Sequence, residues 1–510
     1  MKKGLSIFIC LLLSLSVSAQ GISQQLIYGG NADDQMFDIL SQDDRIICVG
    51  YSSSSTIEVP ANYGSKDFYF AVLDQEMNFL WARNFGGPGE DLASIIIEDA
   101  SQNYVIAGTT KQAGNDVSEF FGTTDIWLIS VDQAGDLLWE LSLGTEGNDR
   151  VSDVVLMPNG DLMLIGWVPF AEEVEGLLNR GEQDIFLARI SSTGELLWQK
   201  GFGNSLDDSG RSLLALDNGD CYISAGVSGA DFEIENHISA TDIWVARING
   251  EGDILDQATF GANKKDTPTD MIELPNGDLM LVGETFSDEG IPGYRGSGDA
   301  FFLHLNSDLE QVSWQAYGGS SFESPYDIML NSNGSITLAG LTYSIDGDIG
   351  VAYQSIDGWL MDIEIDGEIN WSRAFGGSQF EALHAITEDS DGNLLATGYT
   401  DSIDGDVIRA PHGNHLCWTF RVDEALGIEA QSDSNFEFNT KVFPNPASSS
   451  ITISLPSEFS DFEARLLNLE GKILLQTNTT ELDVSTLERG FYLLQFSSKG
   501  HHFQSSLIIN

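Results

Sequence analysis

"DIFLARISSTGELLWQKGFGN" (residues 184–204) holds an apolar run opened by Asp184, the turn Ser192-Thr193-Gly194, a second strand-like run, and small residues after Phe202. Two short runs of this kind around a glycine turn read as an antiparallel strand pair. The arrangement recurs along the chain. Its aromatic or Leu marker falls at Tyr28, Phe85, Leu143, Phe202, Phe260, Tyr317 and Phe375, in steps of 57, 58, 59, 58, 57 and 58 residues. The opening acid falls at Asp67, Asp125, Asp184, Asp242, Asp299 and Asp357, and Leu416 takes the seventh place. A glycine that ends an apolar run keeps the same beat at Gly50, Gly108, Gly166, Gly226, Gly283, Gly340 and Gly398. Three markers in register are the signature of an internal repeat.

Each repeat also holds two strands upstream. In the third copy, "RVSDVVLM" (150–157), the turn Pro158-Asn159-Gly160-Asp161 and "LMLIGW" (162–167) precede a long loop and then the quoted stretch. Asn218-Gly219, Asn276-Gly277, Asn333-Gly334 and Asp391-Gly392 supply the positive φ angles of tight hairpins at the same place in later copies. Four antiparallel strands repeated radially form a propeller blade, so the fold predicted is an all-β, seven-bladed β-propeller. The seventh copy stops after "LCWTFRVDEALG" (416–427) without a fourth strand, while "SQQLIYGG" (23–30) is a fourth strand with nothing before it. Pairing of Gln24 to Tyr28 with the strand around Trp418 is therefore expected to close the ring and remove two sheet edges.

Outside the repeats, "MKKGLSIFICLLLSLSVSAQ" (1–20) has two lysines, a short apolar run and Val17-Ser18-Ala19, the parts of a signal peptide cleaved after residue 19. The apolar run is too short for a membrane span, and no other stretch qualifies, so no transmembrane segment is expected in the mature chain. Residues 20–423 are assigned to the propeller, the polar, unpatterned 424–440 to a linker, and 441–510 to a small C-terminal β-sandwich with Glu470-Gly471 and Lys499-Gly500 as turns. Cys48, Cys221 and Cys417 are too few for a disulfide framework and read as buried small residues. No CxxC, His-Cys cluster or HExxH is present, which removes the usual zinc and redox motifs. The formal charge is −55; residues 441–510 contribute seven acids and five bases, so almost all of the excess lies in the repeats. Such a surface repels nucleic acid and anionic lipid and favours solubility, bound cations or basic partners.

The stretches "GYTDSIDGDVIRAPHG" (398–413) and "DGWLMDIEIDGEINWSRAFGG" (357–377) resemble the propeller-type repeats of many secreted Bacteroidetes proteins. "KVFPNPASSSITISLP" (441–456), "LLNLEGKILLQ" (466–476), "LDVSTLERGFYLLQF" (482–496) and "LIIN" (507–510) resemble the type A sorting domain of the type IX secretion system. That resemblance implies passage across the outer membrane by the type IX machinery, with Pro444, Asn445, Pro446, Gly471 and Gly490 as the sorting-motif residues. The same proline and glycine positions also suit a strand entrance and turns.

The strand 2–3 loops and the connectors between repeats are expected on one face, the usual binding side of a repeat protein. Loop aromatics Tyr63, Phe120, Phe170, Phe232, Tyr294 and Tyr353 are candidates for stacking on a sugar or a partner, or for pinning their own loops. Two loops share "SIDGD", so Asp346, Asp348, Asp404 and Asp406 are calcium candidates, although the EF-hand spacing is absent. No other cofactor is indicated. "VDQAGDLLWELSLG" (131–144) resembles the tryptophan-docking motif of quinoprotein dehydrogenases, yet no two cysteines are adjacent as those enzymes commonly require. The function expected is an exported, non-catalytic binding or adhesion propeller for a surface glycan or protein ligand. The alternative is a secreted glycan-active hydrolase or lyase with paired carboxylates on the loop face.

Overall fold

The computed structural model describes residues 21–423, apart from loop positions 56–58, 60–61, 170–176, 178–179, 351, 354 and 409–414, and mainly the strands of 441–509. The expected signal peptide and linker lie outside the described residues. Two compact units are present, 1–430 and 431–510. The first is a seven-bladed β-propeller. Blades I to VII begin with the strands Asp34–Gln42, Leu92–Glu98, Arg150–Leu156, Asp208–Ala215, Asp266–Glu273, Glu323–Leu330 and Glu381–Glu388. These first strands pack side by side around the ring, each beside the first strand of the next blade and the last beside the first, so they form the inner wall.

The strand Gly21–Tyr28 completes blade VII, pairing antiparallel with Leu416–Asp423 with Ile27 opposite Trp418 and Tyr28 opposite Cys417. Side chains reinforce this seam: Trp418 Nε1 donates to Gln25 Oε1 at 3.1 Å, and Tyr28 Oη lies 3.1 Å from Thr419 Oγ1. No helix occurs among the described residues.

Every inner strand carries a register shift within its first five residues, the first at Met36/Asp38 and the last at Leu383/Ala385. The bulge explains the glycine marker. A Cβ on Gly50 would stand 1.9 Å from the carbonyl oxygen of Gln35, and one on Gly166 1.9 Å from that of Arg150, so the second strand must be bare where the bulged strand bends toward it. Apolar clusters then fill the space between consecutive sheets; one joins Met157, Ile165 and Leu187 of blade III to Leu213, Ile223 and Trp244 of blade IV. At the opposite end of the blades, Trp81, Trp139 and Trp198 lie against the hairpin glycines Gly135, Gly194 and Gly252 of the next blade, each within 2.9 Å of an added Cβ. That packing is the physical content of the tryptophan pattern noted in the sequence. The three cysteines are free and buried.

The second unit holds a three-stranded sheet, with Ser450–Ser454 between Lys441–Phe443 and Glu481–Asp483, and a four-stranded one containing Glu463–Leu467, Ile473–Thr477, Gly490–Ser498 and His501–Ile509. Ile451, Ala464, Leu466, Leu482 and Val484 are buried within it.

Candidate functional site: the loop face and the axis

The loop face is built on buried acids. Six residues after each marker comes Asp34, Asp91, Asp149, Asp208, Asp266, Glu323 or Glu381, at or just before the first residue of an inner strand. Each carboxylate accepts the backbone N–H four residues upstream, from Gly30 at 2.6 Å to Gly377 at 2.9 Å, and so folds the connector back over its own blade. The acids that open the third strands do the same for the strand 2–3 loops: Asp184 accepts from Arg180 N at 2.9 Å, Asp299 from Arg295 N at 2.6 Å and Asp357 from Tyr353 N at 2.8 Å. Both sets are out of water, and burial pushes up the carboxyls of several members, to about 7 for Asp67 and Asp208 and to about 6 for Asp91, Asp149, Asp299 and Asp357. Proximity adds to this, since Asp91 raises Asp67 and Glu323 raises Asp299.

One strand position further in, a third set ties blade to blade. Asp38 accepts from Ile96 N of blade II at 2.7 Å, Asp153 from Leu213 N of blade IV at 2.7 Å, and Asp327 from Ile386 N of blade VII at 2.7 Å. Asp270 accepts Ser212 Oγ at 2.8 Å and Ile328 N at 3.3 Å. Burial raises Asp38 and Asp153 to about 7, and Asp270 and Asp327, which share a hydrogen bond, are also raised. The charge of Asp38 is felt at Asp153 and Asp327, so the axis is narrow at this level.

The residue between the connector acid's strand entrance and this tie is the bulged one. In the seven blades it is Phe37, Ser94, Ser152, Arg211, Thr269, Tyr326 and His384. All seven are partly open to solvent, while the residue before each is buried, so these side chains line a solvent-reached axis. The His384 ring lies 4.7 Å from Phe37 and 4.8 Å from Tyr326, its neighbours on either side of the ring, and 5.9 Å from Tyr399. Burial lowers His384 to about 4, which keeps its imidazole neutral.

The four calcium candidates sit in loops latched to the connectors. Asp346 Oδ1 accepts Ser320 N at 2.7 Å and Asp404 Oδ1 accepts Ser378 N at 2.8 Å. Asp348 pairs with Arg295 and accepts Gly318 N, while Asp406 pairs with Arg373 at 2.6 Å and accepts Gly376 N at 3.3 Å. Oxygens of all four therefore serve backbone or arginine donors. Of the loop aromatics, Phe232 and Tyr63 are exposed, Phe120, Tyr294 and Tyr353 are half-buried, and Phe170 lies outside the described residues. A second set stands on the connector rim. Phe286 and Phe322 stack at 6.0 Å, Phe322 meets Tyr343 at 5.9 Å, and Phe380 occupies the place of Phe322 one blade on. Tyr343 and Phe380 are 47% and 49% exposed. The residue before each connector acid was the signal that would have found Phe322 and Phe380.

In the second unit, Gly490 opens a strand opposite Ile509, while Pro444, Asn445, Pro446 and Gly471 lie outside the described residues. Residues 441–510 match the secretion system C-terminal sorting domain. The chain is a type IX-sorted β-propeller protein, exported to the cell surface or medium. The sorting domain covers only the second unit. The chain is also 27% identical over 177 residues to the regulatory protein FlaEY of Caulobacter vibrioides, a match spanning 32% of this chain and 18% of that protein. Among solved structures, it is similar to the Pan2 WD40 domain of Neurospora crassa (TM-score 0.42, 9% identity, 79% of this chain and 96% of that one). It is also similar to puromycin hydrolase (TM-score 0.44, 12% identity, 86% and 62%).

Proposed function

We propose that this exported propeller is a non-catalytic binding or adhesion protein whose loop face holds a surface glycan. The observation that supports this most is the arc of rings on blades V to VII, Phe286, Phe322, Tyr343 and Phe380, with Ile345 and Ile403 exposed on the loops that follow. Partly and fully exposed rings along one rim, with Ile345 and Ile403 beside them, form an apolar stripe of the kind that marks a binding surface. Sugars present an apolar ring face for stacking, and the hydroxyls around it suit the many carboxylates nearby. The test is retention of the full-length chain on a printed glycan array. The double variant Tyr343→Ala/Phe380→Ala should lose the signal at least tenfold with an unchanged melting temperature. Equal binding by the double variant, or no glycan retained by the native chain, overturns the reading; capture of a protein by cross-linking through Tyr343 would then assign the arc to a protein partner.

The second reading is a secreted glycan-active enzyme. It is favoured by one feature, the hydrogen-bonded carboxyls of Asp270 and Asp327 at the axis. Glycan turnover by the native chain that is abolished in Asp327→Asn would establish it.

A further inference from the structure

Arg211 is the bulged residue of blade IV, and its Nε is buried with no hydrogen-bond partner. No ion pair or hydrogen bond is made by its guanidinium among the described residues, in a chain with 78 acids and 23 lysines and arginines. Glu284 is the one carboxylate whose charge reaches it, and the Oε1 of Glu284 already accepts the hydroxyl of Ser324. Burying a guanidinium without a partner is costly, and in so acidic a chain a purely structural arginine would be expected to take a carboxylate partner.

Across the ring, three blades on, His384 presents a second orphan. Its Nε2 is buried and unpartnered, and its ring is walled by Phe37 and Tyr326. The axis thus holds an unpaired fork of donors on one side and an aromatic wall with a free imidazole nitrogen on the other. One residue further along the inner strands stand the inter-blade carboxylates Asp38, Asp153 and Asp327, each accepting a backbone N–H of another blade.

We infer that these axial side chains form a binding site for an acidic sugar, with the sugar carboxylate on Arg211, its ring face against Phe37, His384 and Tyr326, and a hydroxyl toward His384 Nε2. Guanidinium and carboxylate match as a bidentate pair, which accounts for a donor fork kept free of protein acids. This site goes beyond the rim reading and does not depend on it, because none of its residues belongs to the rim arc.

The experiment is a thermal-shift titration of the full-length chain with sodium glucuronate, against glucose and against sodium chloride at matched ionic strength, repeated on Arg211→Gln. A ligand that binds only the folded state raises the melting temperature by mass action. The expected result is a saturable rise with glucuronate alone, at least a tenfold weaker apparent Kd in Arg211→Gln, and a ligand-free melting temperature of the variant at or above that of the native chain. A rise no larger than with glucose or sodium chloride overturns the site, as does an undiminished rise in Arg211→Gln. A drop of several degrees in the ligand-free variant also overturns it, because Arg211 is then a structural tie. The rim variant Tyr343→Ala/Phe380→Ala should keep the glucuronate response, so failure of the rim reading and failure of this site are read separately.

Discussion

Replacing Tyr28 by Ala should open the ring at its one untethered seam. Six blades join their fourth strand to the third through a short hairpin, whereas blade VII recruits Gly21–Tyr28 from the other end of the chain. Tyr28 is buried at this joint: its ring lies 6.5 Å from Tyr69 and 6.2 Å from Phe79 of blade I, and its hydroxyl reaches Thr419 of blade VII. Truncating a buried aromatic costs about 3–5 kcal/mol, and the lost hydroxyl contact adds about 1 kcal/mol, so a loss of about 4–6 kcal/mol is expected. With a urea m-value of about 3 kcal/mol/M or more for a unit of this size, the midpoint should fall by roughly 1–2 M, read by tryptophan fluorescence. Phe232→Ala, at an exposed loop ring, is the control and should stay within about 0.5 kcal/mol of the native chain. A chain starting at Asn31 should be weaker still, since it exposes the edge of Leu416–Asp423. A Tyr28→Ala midpoint equal to the control, or an Asn31 chain that melts like the intact propeller, would refute the closure argument.

Acidity should stabilise the propeller. The carboxyls of Asp38, Asp67, Asp153 and Asp208 are raised to about 7 in the fold and return to the ordinary carboxylate range on unfolding, so the native state holds more protons between these values. Their contribution is complete below the unfolded value and fades as pH rises through about 7; the melting temperature at constant ionic strength should be higher at pH 5 than at pH 8, and the reverse order would contradict the buried-acid assignment. Calcium should change little: with Asp346 and Asp404 committed to Ser320 N and Ser378 N, adding it to chelated protein should leave the melting temperature unmoved, whereas a shift abolished by Asp346→Ala or Asp404→Ala would make the loops metal sites.

The fold was legible because its determinants repeat. Asn-Gly or Asp-Gly hairpins in five blades, the glycine opposite the bulge and the aromatic or leucine before each connector answer recurring local problems with a small set of residue types. The connector acids escaped notice for a related reason. Asp34, Asp91 and their equivalents keep strict register, but among 78 acids a seven-fold set of carboxylates does not stand out until the backbone shows which N–H groups they hold. The inter-blade ties were harder, because only four of seven copies are aspartates and the bulge hides their common depth.

Repetition also says where to look for function, through the position that does not repeat. Nine residues after each marker stand Phe, Ser, Ser, Arg, Thr, Tyr and His, seven side chains of five chemical kinds at one structural level. Were that level only packing, the ring geometry would present the same space to each blade and a common small or apolar residue would serve, as it does at the buried positions just before it. Instead the largest and most polar members, Arg211, Tyr326 and His384, sit on different blades around one axis, two of them with buried nitrogens that no protein group satisfies. A bulge costs an inner strand its regular pairing in every blade, and its effect is to turn one side chain per blade toward the axis. The asymmetric chemistry of this chain is therefore concentrated where seven-fold structure leaves a shared, solvent-reached space, and substitutions there should alter binding while the same changes at the in-register acids alter stability.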